Sequence, residues 1–377
     1  MLTNARNRWE APSVPDTQHC LRQTPRSRRM TVRELRVGDG ARMEASEERS
    51  VTDRISSLGQ LRDRLFSMLV GVVAFASCTA ADTEPREGYV DVPGGRVWYQ
   101  TLGSGSQDGV PLLVIHGGPG FGSCSYVSTL TGIAEDRPVI IYDQLGAGRS
   151  DRPADTALWR IPRFLEEITA IRLALGLDEV HILGHSWGGT LAIEYLLTRP
   201  EGVRSVVFVG PLMGTQRWVE DARLLRAQLP TSLQEALQAG EESGQFTSAE
   251  YLAATDSFYA RFFIRSGWPP PELPGCEEDT GPNMEVYEYM WGPTEFTATG
   301  TLSDFDRIDQ LAELDLPTLF VVGEYDEIPV ETVLEFRDLV PGSIVEIIDD
   351  AGHMVHIDGT AQLNGAVSEF LAGIDPS

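Results

Sequence analysis

None of the 377 residues is a lysine; all 30 basic side chains are arginine. Positive charge is scarce overall, with 56 Asp and Glu against those 30, and it is unevenly spread. Up to Cys78, 13 Arg stand against 9 Asp/Glu, whereas beyond it 17 stand against 47. A body carrying about −30 repels phosphate backbones and anionic bilayers alike, which excludes nucleic acid and an acidic membrane face as partners. G-x-G-x-x-G is absent, and the glycine-rich loop HGGPG (116–120) is not followed by the Lys-Ser/Thr of a phosphate-binding loop, so a nucleotide cradle is excluded too. Cysteine is sparse, at four, and no cluster has metal-ligand spacing; the expectation is an enzyme without metal or cofactor. No internal repeat or long low-complexity run is present. What remains is a chain with 42% hydrophobic residues, enough for a large α/β core.

Long apolar runs are also missing. Leu65 to Ser77 has 13 residues, short of the roughly 20 needed to span a bilayer. Two arginines (Arg62, Arg64) precede it and small residues lead into Cys78, the three-part pattern of an export signal. FASC (75–78) resembles the lipobox at which bacterial lipoproteins are cleaved and acylated; cleavage after an A-x-A pattern near Ala76, or a buried helix, are the other readings. Residues 1–64 carry no sustained apolar period and several internal methionines, so they read as a disordered or mis-set extension, with 65–78 as signal segment. The expected location is periplasmic or membrane-anchored through Cys78, or cytoplasmic if the segment is not a signal.

From Gly88 the pattern becomes regular. GYVDVPGGRVWYQTLG alternates about Gly94-Gly95 and predicts a β-hairpin. Six short Val/Ile/Leu runs follow, in PLLVIHGG, RPVIIYDQ, VHILGHS, VRSVVFVG, PTLFVVGE and SIVEIID, separated by stretches of helical period. Continuous apolar runs suit strands covered on both faces, so the fold expected is α/β, a mostly parallel sheet flanked by helices. Residues 88–210 and 310–375 form this core, and 211–309, rich in Pro, Glu and aromatics, break the rhythm as an inserted helical lid.

Gly184, Ser186 and Gly188 satisfy G-x-S-x-G between a predicted strand and a predicted helix. A sharp strand-to-helix turn crowds its neighbours, which the glycines relieve, and holds the serine oxygen above the sheet edge at a helix N-terminus. An ordinary helix N-cap is the alternative. A serine hydroxyl needs a base, and the base an orienting carboxylate. His353 follows the last strand at the same sheet edge, whereas His356 reads as structural or surface. Asp326 lies three residues beyond the strand ending at Gly323; Asp349 and Asp350 are rivals too close in sequence to His353. The candidate triad is therefore Ser186, Asp326 and His353. The amide of Trp187 and that of Gly118, with Gly117 as the alternative, are the candidate oxyanion donors.

Together HGGPG, YDQLGAGRSD, GHSWGGTLAIEY, MWGPTEFTATGTL, GEYDE and AGHMVHID make the chain similar to the proline iminopeptidase family of α/β-hydrolases, particularly shorter forms like the tricorn-interacting aminopeptidase, over about Gly88 to Leu371. The resemblance implies a serine exopeptidase that releases an N-terminal residue, often proline, from short peptides. It also implies that Glu295 in GPTEF and Glu327 beside Asp326 bind the substrate's free amine. The segment FYARFFIRSGWPPPELPGCEED departs from the family's lid sequence, which leaves the pocket's size open. An amino-acid amidase or arylamidase, a general esterase, and a silent binding lipoprotein are the competing readings. Of the cysteines, Cys124 and Cys276 are expected to stay unlinked, the alternative being a disulfide fastening lid to core.

Overall fold

The computed structural model describes residues 86–103, 109–270 and 272–375. The proposed extension, export signal and Cys78 lie outside the described residues.

The hairpin forms from β1 (Arg86–Val92) and β2 (Gly95–Leu102), with Gly94 at φ 99°, a conformation that favours glycine. β3 (Leu112–Ile115) leads through the HGGPG loop to α1 (Cys124–Thr129), and β4 (Val139–Tyr142) leads to α2 (Ile161–Leu175). Then come β5 (Val180–His185), α3 (Trp187–Leu197) and β6 (Val203–Val209). Between β6 and the next strand the chain inserts α4 (Thr215–Arg226), α5 (Thr231–Ser243), α6 (Ala249–Phe258), a π-helical turn (Tyr259–Phe263) and α7 (Met284–Met290). The core resumes with β7 (Thr318–Gly323), α8 (Val330–Leu339), β8 (Ile344–Ile348), α9 (Val355–Asp358) and α10 (Thr360–Ala372).

The strands form one eight-stranded sheet in the order β1-β2-β4-β3-β5-β6-β7-β8, antiparallel at β1/β2 and β2/β4 and parallel elsewhere. Period-two alternation sends Leu113, Ile182, Phe208 and Phe320 to one face, where Phe164 and Ile168 of α2 and Phe336 of α8 cover them. Leu112, Leu183, Val207 and Leu319 point to the other face, beneath Tyr126 of α1 and Val367 of α10. Both faces are thereby dry, as the unbroken apolar runs imply. β8 departs from that expectation: as the edge strand it leaves Ile344 and Ile347 exposed.

The inserted helices have a small core of their own, including Leu225, Leu237, Tyr251, Phe258 and Phe296. The expectation that Cys124 and Cys276 stay apart is overturned, because the two form a disulfide. Cys124 opens α1 just beyond the glycine loop, and the insert's turn at Gly275 lies against Val127, with its carbonyl accepting from Arg149 at 2.9 Å. Thr280 and Asn283 donate to the carbonyls of Gly148 and Gly146, and the Asn283 amide to that of Gly120. One end of the insert is thus fastened to the loops above the sheet.

Candidate active site

Ser186 sits between β5 and α3 with φ 56° and ψ −120°, a left-handed conformation costing a non-glycine residue of order 1–3 kcal/mol. Main-chain bonds hold it there. Its N–H donates to Val209 O at 2.9 Å, and its carbonyl accepts from Gly189 and Leu212. A Cβ on Gly184 would stand 2.5 Å from Gly188 O, and one on Gly188 would stand 2.0 Å from Ile115 O, so side chains are barred on both sides of the turn. The hydroxyl makes no capping bond to α3, which rules out the N-cap alternative and leaves the oxygen to face the cavity above the sheet.

His353 Nδ1 lies 2.7 Å from Asp326 Oδ1, and both residues are 2% exposed. The Asp326 carboxylate also accepts from the amides of Gly323 and Ile328, each at 3.2 Å. A carboxylate so placed fixes the tautomer with the proton on Nδ1 and the lone pair on Nε2. Gly210, at φ 48°, makes room: a Cβ there would stand 2.9 Å from His353 Nδ1. The rivals face away, since Asp349 is exposed and Asp350 pairs with Arg265. His356 is buried against the core, stacked on Tyr126 with centroids 4.1 Å apart, and burial pushes its pKa down to about 3.

Gly117 and Gly118 line the cavity beside Ser186; a Cβ on Gly117 would touch the Ser186 Cβ at 3.3 Å, and Gly118 has φ 139°. Their loop is braced by buried His116, whose Nδ1 donates to Gly117 O at 2.7 Å while Nε2 accepts from the Gln144 amide at 3.0 Å. Gln144 Oε1 in turn accepts from the indole of Trp187. Trp187, the first residue of α3, follows Ser186 directly and is fully buried.

Glu295 and Glu327 line the same cavity. Glu295 accepts from Trp218 Nε1 at 2.9 Å and from the Tyr287 hydroxyl at 2.7 Å. Glu327 is 2% exposed, its Oε1 has no hydrogen-bond partner, and burial together with the charges of Glu295 and Asp326 holds its pKa well above the usual carboxylate range. No arginine pairs with either among the described residues. No group of His, Cys, Asp and Glu suited to a metal occurs among the described residues.

A family model described as alpha/beta hydrolase fold matches residues 110–360. The chain is 43% identical over 288 residues to a proline iminopeptidase of Heyndrickxia coagulans, covering 76% of this chain and 99% of that one. It is 34% identical over 289 residues to a proline iminopeptidase of Saccharolobus solfataricus, covering 76% and 92%. Among solved structures, the proline iminopeptidase of Mycobacterium smegmatis superposes with a TM-score of 0.68 at 32% identity, covering 76% and 98%. The chain belongs to the proline iminopeptidase family. Another solved structure, VinJ, superposes at 0.70 with 30% identity, covering 78% and 100%.

Around Ser186 and His353, the structure adds supports that motif reading missed. The Tyr126 hydroxyl donates to His185 Nδ1 at 2.6 Å, which places the His185 proton on Nε2, 3.0 Å from the carbonyl of His353. Burial holds the His185 pKa well below its ordinary value, so the ring stays neutral beside His353. The π-helical turn contributes Phe262 O and Phe263 O, which accept from the amides of His353 and Met354 at 2.8 Å. Trp218 and Tyr287 orient Glu295. None of these residues carries a local sequence signal, because each acts through a partner at least eight positions away. His185 is the second residue of G-x-S-x-G, a position the pattern leaves free.

Proposed function

We propose that the protein is a serine aminopeptidase that releases the N-terminal residue, proline in particular, from short peptides. The carrying observation is the pair Glu295 and Glu327, two carboxylates without an arginine partner among the described residues, in the cavity that holds Ser186 and His353. A buried acid beside a half-buried one is costly, and a substrate ammonium placed between them offsets both the charge and the lost hydration. Amine capture also sets the register, since the carbonyl of the same, first residue is then delivered to Ser186. The family resemblance supports proline at that position.

In this reading His353 Nε2 takes the Ser186 proton as Oγ attacks the carbonyl carbon, while the amides of Trp187 and Gly118 hold the oxyanion. Each such donor is typically worth about 3 kcal/mol of barrier. His353 then protonates the departing nitrogen as the C–N bond breaks. Water, deprotonated by the same ring, attacks the ester, and the proton returns to Oγ as the acid leaves. Asp326 holds the ring's orientation and offsets its transient charge.

The test is a panel of aminoacyl p-nitroanilides, proline and alanine among them, each with a free and an N-acetylated amine, with Ser186→Ala as control. Cleavage restricted to free amines and abolished in the variant is expected. Equal cleavage of acetylated substrates overturns the amine clamp, and activity surviving in Ser186→Ala overturns the nucleophile.

We further propose that the chain is exported through the segment before Cys78 and anchored by acylation of that cysteine. The Cys124–Cys276 disulfide supports an oxidising compartment. The mass of the mature N-terminus in membrane fractions checks it; an unprocessed start overturns it.

A further inference from the structure

We infer that the mouth of the cavity is a subsite for an apolar side chain at the substrate's second residue, so that the enzyme selects peptides whose first residue is followed by Phe, Leu or a similar group. The inference rests on the proposed function and specifies the leaving group.

The amine end must lie inside, because Glu327 is 2% exposed. The remainder of a peptide can therefore leave only toward solvent, past whichever lining residues are themselves exposed. Those are apolar: Phe121 at 37%, Leu252 at 47% and Met284 at 42%, with exposed Pro293 beside them. They come from the loop after β3, α6, α7 and the segment just beyond α7, and converge on a cavity of about 310 Å³. Trp268 stands with them, its indole donating to Asp256 at 2.8 Å and its ring against Tyr259 and Phe263 at 4.8 and 5.8 Å. Phe121 is likewise set edge-on to Tyr287 at 5.8 Å. These rings are held in place before substrate arrives, so covering them costs little ordering entropy.

The cavity's charged lining is equally telling. Glu295 and Glu327 are its only Asp, Glu or Arg side chains among the described residues. A charge at the second residue would be drawn against apolar surface with no partner, whereas an apolar side chain covers surface that water otherwise wets.

The experiment compares kcat/KM for the amides Pro-Phe-NH2, Pro-Gly-NH2, Pro-Lys-NH2 and Pro-Asp-NH2. About a tenfold advantage of Phe over Gly is expected, in line with what filling an apolar pocket supplies, with Lys and Asp below Gly. In Leu252→Glu and Met284→Glu, both at exposed positions compatible with folding, the Phe/Gly ratio should fall toward one and Lys should rise above Asp. A wild-type ratio within twofold of one, or Lys as the best substrate, overturns the inference, as does a ratio unchanged in both variants. Turnover of none of the four would overturn the aminopeptidase reading itself, and this inference with it.

Discussion

Replacing Glu327 by Gln tests the amine clamp through stability and catalysis at once. The carboxyl is buried beside Glu295 and Asp326, and all three causes of its shift, desolvation first, favour the protonated form in the folded, empty enzyme. In the unfolded chain the same group ionises near pH 4.3. Between that pH and its raised folded value the native state holds a proton that the unfolded state has lost. Stability therefore falls as pH rises, by about 1.4 kcal/mol per pH unit. Gln is isosteric and does not titrate, so Glu327→Gln should be more stable than wild type at neutral pH. The gap in melting midpoint should widen by about 3–5 °C per pH unit above pH 4.3. Catalysis should move the other way. Losing one charged hydrogen bond to the ammonium should cost about 10- to 100-fold in kcat/KM on free-amine substrates, and the preference over acetylated ones should shrink alike. In wild type, KM should fall as pH rises through the Glu327 titration, because the ionised form receives the cation. Calorimetry across pH and steady-state kinetics are the assays. A midpoint gap that does not change with pH, or full activity in the variant, would refute the reasoning.

Cys276→Ser should lower stability by about 2–4 kcal/mol, since the bond closes a separation of 152 residues; dithiothreitol should lower the wild-type midpoint and leave the variant's unmoved. Gly188→Ala puts a methyl 2.0 Å from Ile115 O and should cost about 3 kcal/mol or more, seen as lost soluble protein or a much lower midpoint. A tolerated alanine there would contradict the packing of the turn. Tyr126→Phe leaves His185 Nδ1 without its donor in a buried site and should cost about 1–3 kcal/mol. Its effect should fall on kcat, about tenfold, more than on KM, because His185 positions the loop of His353; an unchanged kcat would reduce the network to a purely structural one.

What the sequence determined by itself is local and periodic. Apolar runs of strand length with intervening helical periods specify a sheet covered on both faces, whatever the connections between them. The turn at Ser186 is legible for the same reason, since glycines two residues either side answer a crowding that acts over those same few residues. The position of Asp326 beyond its strand is legible too, because strand ends in a parallel sheet share an edge. Contacts between distant segments decided the rest. Cys124 and Cys276 are joined because the insert folds back over the loop after β3, which no spacing announces. Ile344 and Ile347 are exposed because β8 has no neighbour on one side, and an edge position depends on strand order, not on composition. Tyr126, His185 and the carbonyl of His353 meet only after three elements pack. Glu327 becomes a buried acid, its Oε1 without a hydrogen-bond partner among the described residues, only in the packed structure, since the cost of a charge depends on the solvent that tertiary packing removes.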